Sequence, residues 1–131
     1  MKLLLDTHIW IWALLDPSKL SNRVAQALRS KESELWLSSI SMWELSLLVS
    51  KNRIQLDSEL NTWIDEALRI APIHEAPVSF AIVRALELIK TPHLDPADRF
   101  LAATASVLNL QLVTSDERLI AGSGYQVFAN C

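Results

Sequence analysis

A chain of 131 residues and 14.7 kDa suits one domain, which could bury roughly two-thirds of its unfolded surface in a single core. Half of the residues are apolar and mean hydropathy is +0.21, which excludes a disordered or purely solvating chain. The net charge of −3 excludes a surface that binds nucleic acid by bulk charge, and the lone Cys131 excludes an intramolecular disulfide or a multi-cysteine zinc site.

In chain order, Leu3-Leu4-Leu5 is a short continuous apolar run, the pattern of a strand covered on both faces. A helix-length segment, Ile9 to Leu15, follows it and ends at the Asp16-Pro17 turn. Ser21 to Arg29 is predicted as a helix, Leu35-Trp36-Leu37 as a strand and Ile40 to Ser50 as a helix. A further helix spans Ser58 to Arg69 and a short strand lies at Ile73-His74. Pro77 is predicted to open a helix reaching about Lys90, and Asp95-Pro96 opens another to about Leu108. Gln111 to Thr114 is a strand, a short helix starts at Glu117, and Tyr125 to Phe128 is the last strand. Alternating strands and helices predict an α/β fold with a parallel sheet between helices. No repeat or linker divides the chain, so residues 1–131 are expected to form a single domain.

The apolar start is broken by Asp6 and His8 with no small-residue cleavage site after it, so no export signal is expected. The longest apolar run, Ile9 to Leu15, is far shorter than the roughly 18 residues needed to span a bilayer. The expected compartment is the cytoplasm, with no membrane partner.

In open parallel sheets, ligands bind outside the carboxyl ends of the strands. Asp6 follows the first strand and Asp116 comes two residues after Thr114. Asp98 falls in the first turn of its helix and Glu44 one turn into the helix after Leu35-Trp36-Leu37. Each also has a purely structural explanation. Asp95-Pro96-Ala97-Asp98 has the form of an N-cap with an acid at N3, Asp116 could cap Glu117 to Ile120, and Asp6 could end a turn. Glu44 is harder to explain away, because Ile40, Trp43, Leu47 and Leu48 place it on an apolar stripe. A carboxylate there must be protonated, paired, for example with Lys51, or bound to a cation. His8, His74 and His93 lack metal-ligand spacing, so an all-oxygen donor set points to a hard cation and not to zinc.

Four strings now carry a resemblance: Leu4-Leu5-Asp6-Thr7-His8, Ser41-Met42-Trp43-Glu44-Leu45, Asp95-Pro96-Ala97-Asp98-Arg99 with Ala102-Ala103-Thr104-Ala105, and Leu112-Val113-Thr114-Ser115-Asp116. In this order they resemble the PIN-domain family, most closely VapC-type toxins, over essentially the whole chain. The resemblance implies a three-layer α/β/α sandwich with a five-stranded parallel sheet. It also implies an acidic site of Asp6, Glu44, Asp98 and Asp116 that holds Mg²⁺ or Mn²⁺ and cleaves RNA, with Asp95 left as a cap. Asp6 and Asp98 are expected as direct ligands, with Glu44 and Asp116 orienting water or a second ion. Thr7, Thr114 and Ser115 are expected to hydrogen-bond these carboxylates, with ordinary turn hydroxyls as the alternative. The implied partners are an RNA substrate, an antitoxin that docks near the acidic cleft and is encoded beside the gene, and a second copy of the chain in a homodimer.

Lys51, Arg53 and Arg99 could form a small basic rim for RNA phosphates, or be solvated surface charges. Trp10, Trp12 and Trp43 are expected as core or dimer contacts in preference to base-stacking surfaces. A P-loop or dinucleotide fold is excluded because Gly122 and Gly124, the only glycines, do not lie in a strand-to-helix loop. A phosphoacceptor receiver lacks its paired acids after the first strand. The competing reading is a catalytically silent PIN-like module that binds RNA or protein.

Overall fold

The computed structural model describes residues 1–131. Five strands, β1 (Lys2–Leu5), β2 (Glu34–Ser38), β3 (His74–Ala76), β4 (Gln111–Thr114) and β5 (Gln126–Ala129), form one parallel sheet in the order β3-β2-β1-β4-β5. Between them run α1 (Thr7–Leu15), α2 (Asn22–Arg29), α3 (Ser39–Ser50), α4 (Leu60–Ile70), α5 (Phe80–Ala85), α6 (Pro96–Leu108) and α7 (Glu117–Ala121), with 3₁₀ turns at Pro17–Lys19 and Leu86–Leu88.

The continuous leucine run of β1 follows from its central position. Leu3, Leu4 and Leu5 are all essentially buried, and successive side chains leave opposite faces of the sheet. Leu4 and Leu112 pack with Ile82, Leu101, Ala102 and Leu119 from α5, α6 and α7. Leu3, Leu5 and Val113 pack on the other face with Ile9, Trp10, Val24, Leu45 and Trp63 from α1, α2, α3 and α4. Two apolar clusters on either side of one sheet make the three-layer α/β/α sandwich. Each fully buried leucine contributes roughly 1.5–3 kcal/mol to holding it.

Several boundaries differ from the sequence expectations. The helix expected from Pro77 to Lys90 begins only at Phe80, because the Ser79 hydroxyl caps it by accepting from the Ile82 amide. It then tightens into the 3₁₀ turn at Leu86–Leu88. α1 starts at Thr7, two residues early, and α4 starts at Leu60 because Glu59 accepts from the Asn61 and Thr62 amides. The strands expected at Ile73-His74 and at Tyr125 to Phe128 sit one residue further on. Of the tryptophans expected in core or dimer contacts, Trp10 is buried and Trp12 packs partly on the core, while Trp43 is 53% exposed and so lies outside the core. The buried positions of α3 are Ser41 and Leu45, so the apolar stripe lies one residue away from Ile40 and Glu44.

Strand order fixes where a site can form. From β1 the chain steps outward to β2 and β3, then crosses back to β4 and β5 on the other side. The crevice between the carboxyl ends of β1 and β4 is therefore the switch point at which such sheets bind ligands.

Candidate active site

Asp6 leaves β1 at that switch point, with its amide donating to the Val113 carbonyl of β4 over 2.9 Å. It holds the N-cap position of α1, yet its side chain makes no capping hydrogen bond. Instead Asp6 Oδ2 accepts from the Thr114 hydroxyl over 2.7 Å, and Thr114 Oγ1 in turn accepts from the Asp116 amide. Asp6 is only 9% exposed, so burial pushes its pKa up, against the lowering effect of the Thr114 bond.

Glu44 reaches the same crevice from α3, half-buried. Its Oε1 accepts from the Thr7 hydroxyl, and the buried Ser41 hydroxyl lies 2.8 Å from Thr7 Oγ1. A hydroxyl has one hydrogen, so Thr7 gives its proton to the carboxylate and takes a bond from Ser41. Burial raises the Glu44 pKa, and the charges of Asp6 and Asp95 add to the rise against the Thr7 bond. Lys51 is exposed and forms no ion pair with Glu44.

Asp98 and Asp95 arrive together on α6. Asp95 is the N-cap and its Oδ1 accepts from the Asp98 amide over 2.8 Å, with Pro96 in the first turn. The Asp98 carboxylate accepts no hydrogen bond from the chain. Burial, and then the charges of Asp95, Asp6, Asp116 and Glu44, push its pKa up to about 8. Asp116 caps α7 through Oδ1, which accepts from the Arg118 and Leu119 amides.

All four expected acids, Asp6, Glu44, Asp98 and Asp116, line a single cleft of about 320 Å³, and Asp95 joins them. Sequence reasoning had left Asp95 as a cap alone; it is a cap whose charge also faces the cleft. His8, Ser115 and Trp12 complete the wall, and Trp12 is its one hydrophobic residue. Ser115 lies at the cleft but makes no hydrogen bond to any of the carboxylates, unlike Thr7 and Thr114. Arg99 points elsewhere: its guanidinium donates to the Leu86 carbonyl over 2.9 Å and lines a separate cavity with Lys90 and His93. Lys51 and Arg53 are exposed and outside the cleft. None of these three cations, expected either as a rim for phosphates or as solvated surface charge, lines the cleft.

The acids line the cleft walls without drawing together into a ready-made ion cage: no three His, Cys, Asp or Glu side chains have metal-coordinating spacing. Their chemistry nevertheless fits a hard divalent cation. The donors are all oxygen, three of the carboxyls have raised pKa values, and Asp98 has no other partner. Like charges gathered in a half-buried crevice stay apart or take up protons until a cation neutralises them.

Against known proteins, residues 3–123 match the model of the PIN domain. The chain is 34% identical over 119 residues to Ribonuclease VapC22 of Mycobacterium tuberculosis (strain ATCC 25618 / H37Rv), covering 88% of each. It is similar in structure to VapBC2 from Rickettsia felis bound to a promoter DNA fragment, with a TM-score of 0.77 at 20% identity and 98% of each chain covered. It is also similar to DNA-bound VapBC from Salmonella typhimurium, with a TM-score of 0.72 at 21% identity, covering 100% of this chain and 99% of that one. With a family match across most of its length, a parallel sheet in the order β3-β2-β1-β4-β5 and an acidic cleft at the switch point, the chain belongs to the PIN domain family.

Proposed function

We propose that the chain is a divalent-metal-dependent endoribonuclease, the toxin component of a type II toxin–antitoxin module acting in the cytoplasm. The observation that carries this reading is the cleft between β1 and β4, which Asp6, Glu44, Asp98 and Asp116 line together. The 34% identity to Ribonuclease VapC22 supports RNA as the substrate.

Asp6 and Asp98 would hold Mg²⁺ or Mn²⁺, with Glu44 and Asp116 at its flanks. Such an ion, when bound, supplies positive charge against phosphoryl oxygens and lowers the pKa of water. Thr114 fixes the rotamer of Asp6 by donating to Oδ2, and Thr7 does the same for Glu44 through Oε1. One oxygen of Glu44 and one of Asp116 remain without a protein donor, so each can accept a proton from a water or orient it. The test is cleavage of single-stranded RNA by purified protein with Mg²⁺ or Mn²⁺, with and without chelator, beside Asp6→Asn. Activity that needs the ion and disappears in Asp6→Asn supports the reading. RNA binding without cleavage under all conditions would instead favour the silent module.

The antitoxin partner is supported by the solved neighbours, which are toxin–antitoxin complexes. A groove of about 720 Å³ between α1 and α4 suits it, lined by Leu14, Leu15, Trp63 and Ile70 together with Asp57, Asp65 and the Glu66–Arg69 ion pair. These features fit a partner segment with an apolar face and basic flanks. A second copy of the chain is the proposed partner for the α5 region, where Phe80 is 90% and Leu88 73% exposed beside Val83.

A further inference from the structure

Trp12 is the only hydrophobic residue lining the acidic cleft, and nothing in the carboxylate chemistry requires it. It lies four residues after His8 on α1, on the same helix face, and the two rings sit 5.8 Å apart at 52°. Part of the indole packs against the core cluster below α1, which fixes its position. Lys19, exposed on the following 3₁₀ turn, places Nζ 5.4 Å from the Trp12 ring centroid. The half-buried ring lines the acid-bearing cleft, and what lies over it is the side chain of an exposed lysine and not core, so displacing Lys19 would free a ring face at the cleft wall.

We propose that Trp12, flanked by His8 and Lys19, is the positioning platform for the RNA: a nucleobase next to the cleaved bond stacks on the indole. Lys19 swings from the ring to a neighbouring phosphate. Base stacking on an aromatic ring is tolerant of sequence but requires an unpaired base, so the platform selects single-stranded RNA. It also supplies what the acidic cleft lacks. No lysine or arginine lines the cleft to receive a polyanion: Arg99 donates to the Leu86 carbonyl, and Lys51 and Arg53 lie outside the cleft. The binding contributions left at the cleft are therefore the cation, the stack and Lys19. Trp12 touches a base and not the reacting atoms, so it is a positioning residue.

The proposal rests on the ribonuclease reading, and one experiment separates the two. A short single-stranded oligoribonucleotide with a single cleavage site is compared with a series carrying one abasic nucleotide at each position around that site. Wild type, Trp12→Phe and Trp12→Leu are each measured with Mn²⁺. Trp12→Leu is expected to raise KM roughly tenfold with kcat within about threefold, as for the loss of one base stack, and Trp12→Phe to recover most of it. At one abasic position wild type should lose the same factor, and there the Trp12 variants should lose nothing more. That non-additivity is a readout a merely structural role would not move. Additive penalties at every position, or a wild type indifferent to every abasic site, would overturn the platform. If Trp12→Leu does not fold, the same comparison is made with Trp12→Phe, whose smaller loss must also vanish at that one position. Lys19→Ala should lower the salt dependence of KM by about one phosphate contact. A salt slope equal to that of wild type counts against the Lys19 part. Failure of wild type to cleave even the intact oligonucleotide would strike the ribonuclease reading instead.

Discussion

Replacing Asp98 by Asn makes the electrostatic state of the cleft measurable, because the amide keeps the shape of the side chain and removes its charge. The Asp98 pKa rises from 3.8 to about 8 in the folded chain. That is about four decades of proton affinity, and at about 1.4 kcal/mol per decade it caps the folding cost of the ionised group at about 6 kcal/mol. The carboxyl is half-exposed, so solvent screening leaves roughly a third of this, about 2 kcal/mol. The sign follows from linkage: the folded form holds the proton more tightly than the unfolded form, so folding takes up protons between about pH 4 and pH 8. Stability is fully present below the unfolded pKa and is lost as pH rises toward 8. Thermal melts in chelator at pH 4 to 8.5 should therefore show wild type weakening as pH rises. Asp98→Asn should melt roughly 6–8 °C above wild type at pH 8, with the gap closing near pH 4. The same variant should lose cleavage. An Asn variant no more stable than wild type at pH 8, or a wild type that gains stability with rising pH in chelator, would refute the reasoning.

Glu44→Gln should act in the same direction in chelator, since burial and then the charges of Asp6 and Asp95 raise its pKa, while gaining less stability than wild type from added Mn²⁺. Wild type saturated at a hundredfold excess of Mn²⁺ over its dissociation constant should gain about 2.7 kcal/mol, read as a rise in Tm that grows with the logarithm of ion concentration. Thr114→Val removes the donor to Asp6 Oδ2 and the acceptor for the Asp116 amide, with little change in shape. It should cost about 1–3 kcal/mol in denaturant melts, raise the Asp6 pKa further, and move the acid limb of the pH–rate profile to higher pH.

The layered fold was legible because its signals are local. Leu3-Leu4-Leu5 declares a strand buried on both faces, and caps such as Asp95-Pro96 declare helix starts. What the residues alone did not give was the strand order, which depends on contacts between Leu3 and Leu35 on one side of β1 and Leu5 and Val113 on the other. The α5 region misled for a physical reason. Pro77 can open a helix, but the Ser79 hydroxyl is a better cap, so the chain stays extended until Phe80. The stripe on α3 misled because this helix has apolar residues on most of its circumference. Periodicity then cannot say whether Glu44 or Leu45 faces inward, and packing against the sheet selects Leu45.

At the cleft, cap and functional acid had been set against each other as alternatives, and the structure dissolves that opposition. Asp6, Asp95 and Asp116 all hold N-cap positions, on α1, α6 and α7, and Asp98 sits in the first turn of α6. The carboxyl edge of a parallel sheet is where helices begin, so the residues best suited to begin helices are delivered to the ligand-binding edge. Capping consumes one oxygen of Asp95 and one of Asp116 and leaves the other free. The positive ends of the helices also offset part of the repulsion among the acids. Asp6 is the exception that separates the two duties: it stands at a cap position without a side-chain capping bond, and its carboxylate is held by Thr114 instead. An acid at a cap position whose side chain is withheld from the cap has its orientation fixed by something other than the helix, and this supports the proposed role of Asp6 as a direct ligand.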